Sequence, residues 1–258
     1  MASSVSGLWT PFLALAATLL PLLWAKRWTT HSLQELSLRW VNDPDVALVV
    51  YFVIVLPGVV VHELSHWLTA RLLGVRVSRL SLGPVRKKRG RQISLGSVRV
   101  GKVDVVRGTL IGLAPLIGAS AIILLIGNLV LGVDELVTGP LPTSVERWIV
   151  LLATGIEEMM RVPDLWLWLY LIFAISNAML PSESDLWAVR PVLVFLGIAA
   201  AVILVVGGVP SVPPDVVAAV GVVAGYLASA FGLTLAVDIV FGATIGLMLW
   251  LTRQVQGG

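Results

Sequence analysis

The most restrictive feature of the chain is an apolar run from about Val46 to Leu73 that carries His62-Glu63-Leu64-Ser65-His66 in its second half. Such a run is long enough to cross a bilayer, since a span needs about 20 mainly apolar residues. Two imidazoles and a carboxylate are costly there, and ionisable groups inside a membrane segment usually mark function. On a helix, residues four apart share a face. His62 and His66 can therefore present both rings to one metal ion while Glu63 lies beside them. In a soluble helix the same string arises by chance and sits harmlessly in water.

The chain has no cysteine, so a metal here needs nitrogen and oxygen ligands. Zinc in a hydrolytic site takes three protein ligands and keeps its fourth position for water, which it acidifies. Glu63 is placed to accept the proton of that water and pass it to a leaving amine. A third ligand must come from elsewhere. The only other histidine, His31, falls in a polar stretch read as a loop before the second span, and reads as a surface residue. Among acids near membrane level, Glu183 and Asp185 follow the fourth apolar segment and Asp238 lies in the last one. Asp185 is on the same predicted side as the His motif, which favours it. Asp238 reads as an interhelical hydrogen-bonding residue, with a proton-accessible group as the alternative.

The rest of the chain supports a membrane setting. At 57% hydrophobic and 13% charged residues, its apolar surface cannot all be hidden inside a soluble domain of this size, so lipid must cover much of it. Further spans are expected at about Leu8 to Trp24, Leu110 to Leu131, Leu165 to Leu180 and Ala188 to Val206. Val216 to Leu251 is expected to form two helices turning near Gly232, with a single long tilted helix as the alternative. The fold class is an α-helical multi-pass membrane protein of about six to seven spans. Gly74 should stop the second helix. From Val75 to Val106 the pattern alternates, which predicts a β-hairpin with a bulge or a glycine-relieved crossing near Gly96. Val145 to Met160 is expected to form an amphipathic helix on the membrane surface. The chain divides into an N-terminal helix and loop (1–45), a core (46–190) and C-terminal helices (191–258).

Of the 18 Lys and Arg residues, 11 lie between Arg71 and Arg107, opposed there by Asp104 alone. Such a run reads as a cytoplasmic segment under the positive-inside rule, and the active centre should open to that side. Contact with anionic lipid is a lesser reading. Without interleaved aromatic residues it does not read as a nucleic-acid surface.

With the motif and the distant segment Asn177-Ala178-Met179-Leu180-Pro181-Ser182-Glu183-Ser184-Asp185 in view, the chain resembles the site-2 protease family of intramembrane zinc metalloproteases over roughly Val46 to Asp185. That family carries an Asn eight residues before a ligand Asp, as Asn177 stands before Asp185. Here Pro181 comes four residues after the Asn rather than three, and Leu186 replaces the Gly that follows the Asp. The resemblance implies that His62, His66 and Asp185 ligate zinc, that Glu63 is the catalytic base, and that Asn177 holds the substrate strand or polarises its carbonyl. It also implies a hairpin that presents an unwound transmembrane protein substrate. The implied activity is a zinc-dependent endopeptidase. The other readings are an inactive relative serving as a chaperone, assembly factor or complex subunit, and a zinc hydrolase of lipids.

Overall fold

The computed structural model describes residues 2–86, 93–133, 145–182, 185–187, 189–192, 194–195, 198, 202 and 213–256. It is mostly helical. The helices are α1 (Ala2–Val41), α2 (Pro44–Leu72), α3 (Val105–Leu129), α4 (Val145–Met160), α5 (Leu165–Met179) and α6 (Pro214–Gln256), with β1 (Val77–Arg86) and β2 (Ile93–Val100) between α2 and α3.

Helix α2 is defined at both ends by local chemistry. The Asp43 side chain accepts hydrogen bonds from the backbone N–H groups of Asp45 and Val46 at 2.8 and 3.1 Å, and Pro44 occupies the first helical position. At the other end Gly74 adopts φ +69, the Gly74 N–H donates to the Arg71 carbonyl and the Val75 N–H to the Ala70 carbonyl. That is a Schellman closure, as expected for Gly74. The hairpin follows at once. β1 and β2 pair antiparallel, and the register slips between Leu82, opposite Gly96, and Val85, opposite Ser94, so the irregularity expected near Gly96 is present with its extra residue on β1. The expected hairpin turn falls in 87–92, outside the described residues.

Two helix pairings place the site. Helix α5 runs alongside α2 in the same direction: Tyr170 Oη donates to the Ile54 carbonyl at 3.0 Å, Gly58 abuts Ala174, and His62 Nδ1 meets the Ala178 carbonyl at 2.7 Å. Each contact is one turn beyond the last, so the two helices stay in register from Ile54 to His62. Helix α3 runs back along α2, bringing Ile111 to His66 and Gly118 to Ser65. A core of Val55, Val59, Ile123, Ile172 and Phe173 fills the space between them.

The ends of the chain depart from expectation. Helix α1 does not stop near Trp24 but runs on to Val41, so His31 is an exposed helical residue rather than part of a loop. Val216 to Leu251 is one uninterrupted helix, not two, within the 43 residues of α6. Four glycines of α6 serve contact with α1 instead of a turn: Gly221 faces Pro11, Gly232 faces Thr18, and Gly242 and Gly246 face Trp28. The two helices therefore run parallel, and small residues let them approach.

Among the described residues, α2, α3 and α6 are long and apolar enough to cross a membrane. The end of α4 and the 15-residue α5 form a further apolar pair bent by 111°. The break falls at Arg161 to Asp164, where Asp164 has φ +56. The expected span at 188–206 lies largely outside the described residues.

Candidate metal centre

His62 and His66 project from one face of α2, their rings 4.8 Å apart and nearly perpendicular. Each ring is held by a backbone carbonyl from a neighbouring helix. His62 Nδ1 lies 2.7 Å from the Ala178 oxygen on α5, and His66 Nδ1 lies 2.7 Å from the Ile111 oxygen on α3. A carbonyl can only accept, so each Nδ1 carries the proton and each Nε2 keeps its lone pair. Carbonyl partners of this kind orient metal-binding histidines.

Asp185 completes a triangle. Its Oδ2 is 3.5 Å from His62 Nε2, its Oδ1 is 3.2 Å from His66 Nε2, and the two Nε2 atoms are 3.2 Å apart. Nitrogen and oxygen ligands about 2.0–2.1 Å from a zinc ion stand about 3.3 Å from one another at tetrahedral angles. The three separations are near that size, with the carboxylate turning a different oxygen to each ring, and His62, His66 and Asp185 form a group able to hold a metal ion.

The segment that delivers Asp185 is itself a capping motif. The Ser182 backbone N–H donates to Asp185 Oδ2 at 2.7 Å and the Ser182 hydroxyl at 2.6 Å, while the Asp185 N–H reaches back to the Ser182 hydroxyl at 3.4 Å. This reciprocal pairing starts the helical residues 185–187 and aims the carboxylate at the two imidazoles. Pro181 and Leu186 therefore do not prevent the segment from reaching the metal group. Glu183, the other acid weighed for this position, lies outside the described residues.

No protein-family model, curated protein or solved structure matches the chain. The chemistry of the site accordingly rests on its own geometry.

Three other sequence candidates have distinct surroundings. Glu63 is 6% exposed and lies beside the triangle without belonging to it. Asn177 donates from Nδ2 to the Phe173 carbonyl of its own helix at 2.8 Å. Asp238 is buried against α5 and pairs with Ser176, not with the histidines. The sequence reading missed Ala178 and Ile111, which act through backbone carbonyls, and Ser182, whose Ser-x-x-Asp spacing was a readable signal.

Gly96, expected at a bulge or a glycine-relieved crossing, touches the site. A Cβ added there would stand 2.6 Å from Glu63 Oε1, 2.7 Å from its Cγ and 2.9 Å from its Cδ. Strand β2 thus rests directly on the Glu63 side chain, and only glycine fits. Gly96→Ala should push the carboxylate aside and leave the ability of the His62, His66 and Asp185 group to take up a metal unchanged, because that group is untouched. Metal titration of the two proteins checks this; weaker binding by the variant would show that β2 supports the ligands instead.

Proposed function

We propose that the chain is a zinc-dependent intramembrane endopeptidase that hydrolyses peptide bonds in or near transmembrane segments of other proteins. The observation that supports it most is the His62, His66 and Asp185 triangle, sized for zinc and set on an apolar helix with Glu63 beside it. Zinc bound there would acidify a water molecule and polarise the scissile carbonyl. Glu63 takes the proton of the attacking water and returns it to the leaving amine. Asn177, on the turn of α5 next to Ala178, would leave its own helix to bind the substrate backbone.

A helical peptide bond is shielded by its own hydrogen bonds and must be extended before attack. The β1–β2 hairpin, whose Gly96 lies against Glu63, offers a strand edge beside the centre. The arginines at 71, 76, 79, 99 and 107 and Lys102 cluster at this end of α2 and α3, so the positive-inside rule puts the opening on the cytoplasmic side. On this reading α1 and α5 join α2, α3 and α6 as spans, five among the described residues, which leaves α1 and α6 running the same way as their contacts require.

The test is metal removal in a reconstituted system. The purified chain should carry close to one zinc. Chelation should abolish cleavage of a transmembrane peptide in vesicles, zinc should restore it, and Asp185→Ala should lose both zinc and activity. A native protein that carries no metal and cleaves nothing would favour a non-enzymatic role as a chaperone or complex subunit. Release of fatty acid instead of peptide would favour a lipid hydrolase.

A further inference from the structure

A second polar group is buried on the α6 side of α5. Lys26 and Thr29 lie one turn apart on α1, Thr234 and Asp238 one turn apart on α6, and Ser176 on α5 meets Asp238. All five are at most 5% exposed. The Ser176 hydroxyl lies 2.8 Å from the Phe173 carbonyl and 2.9 Å from Asp238 Oδ1, and shares its single proton between them. Four other polar atoms have no hydrogen-bond partner among the described residues: Lys26 Nζ, Thr29 Oγ1, Thr234 Oγ1 and Asp238 Oδ2. Lys26 and Asp238 are near enough for their charges to interact, yet Nζ and Oδ2 make no direct bond.

Buried polar atoms are almost always satisfied, and four orphans along the α1–α6 contact, around the Lys26 and Asp238 charges, point to a ligand. Its chemistry is constrained. The ammonium disfavours a bound cation, and the carboxylate disfavours an anion. The group offers a strong donor, a strong acceptor and two hydroxyls that can do either, which suits a small neutral molecule that both donates and accepts. Water meets that description, and sites with several polar partners hold it in protein interiors.

We propose that Lys26, Thr29, Thr234 and Asp238 bind internal water as a hydrated ion pair that latches α1 and α6 to α5. Through Ser176 the latch sets the end of α5, where Asn177 follows directly and the Ala178 carbonyl orients His62. Lys26 and Asp238 are thus positioning residues for the metal centre. Only this last step rests on the proposed zinc site.

Thermal unfolding and zinc titration of the purified full chain test both parts. Lys26→Met and Asp238→Asn should each lower the unfolding temperature by on the order of 5 °C, because each leaves the other charge buried alone. The double variant should recover most of that loss, whereas additive losses would overturn the latch. Thr29→Val and Thr234→Val keep side-chain shape and remove one water partner. They should lower the unfolding temperature; a rise would mean that the hydroxyls are dry, and would overturn the water site even if a charge variant fails to fold. Asp238→Asn should also weaken zinc binding several-fold. Unchanged zinc affinity in a destabilised variant would overturn the link to the metal centre, and a wild-type chain that binds no zinc would count against the metal reading while the unfolding data still decide the latch.

Discussion

Glu63→Gln should lower the cleavage rate on the order of 10³-fold, the scale at which a positioned general base contributes, while the chain keeps its zinc. Glutamine preserves the size of the side chain and one oxygen acceptor but cannot take up a proton. The substitution therefore removes proton transfer without opening a cavity under β2. Metal binding should survive because the triangle is built from His62, His66 and Asp185 alone, with both rings anchored by the Ala178 and Ile111 carbonyls. Metal content and turnover of a transmembrane peptide, measured on the same preparation, decide the matter. Retained turnover would move the base to another group, and lost zinc would make Glu63 a ligand.

The residues of the proposed centre were legible in the sequence to different depths for physical reasons. His62, Glu63 and His66 lie within one helical turn, so their arrangement follows from helix geometry alone. Asp185 could be nominated from its side of the membrane and from the resemblance, but what aims it is a local capping pair with Ser182. The rings are oriented by main-chain carbonyls, which leave no side-chain signature. The extent of α1 was misjudged because the polar stretch around His31 read as a loop, whereas its charges find distant partners. Lys26 is in fact buried with Asp238, and Glu35 pairs with Arg253 at 2.9 Å, 218 residues away. Gly232 read as a turn for a related reason: a glycine that relieves a turn and one that admits a neighbouring helix look alike until the partner is known. Contacts with distant partners are what a local pattern cannot supply.

Gly58 marks the contact on which the alignment of α2 and α5 depends, and Gly58→Ala should destabilise the protein by about 3 kcal/mol and release its zinc. Alanine gains roughly 1 kcal/mol of helix propensity over glycine, so propensity alone predicts the opposite sign. Packing decides against it. A Cβ at Gly58 would stand 1.9 Å from the Ala174 carbonyl oxygen and 2.7 Å from its carbon, whereas ordinary contact begins at 3.4 Å. The obstacle is backbone, so no rotamer change relieves it and the helices must part by about 1.5 Å. That displacement acts on α5 midway between Tyr170 and Ala178. It lengthens the bond from Ala178 to His62 and draws away the segment that carries Asp185, so stability and metal affinity should fall together. Gly225→Ala on α6 is the control, since nothing lies within 4 Å of a Cβ there. It should be neutral or stabilising by up to about 1 kcal/mol. Thermal unfolding and zinc content of the two variants make the comparison, and a Gly58→Ala protein as stable as the control would rule out close contact at this point. Loss of stability with zinc affinity intact would instead mean that the metal group is held by α2 and α3 without the help of α5.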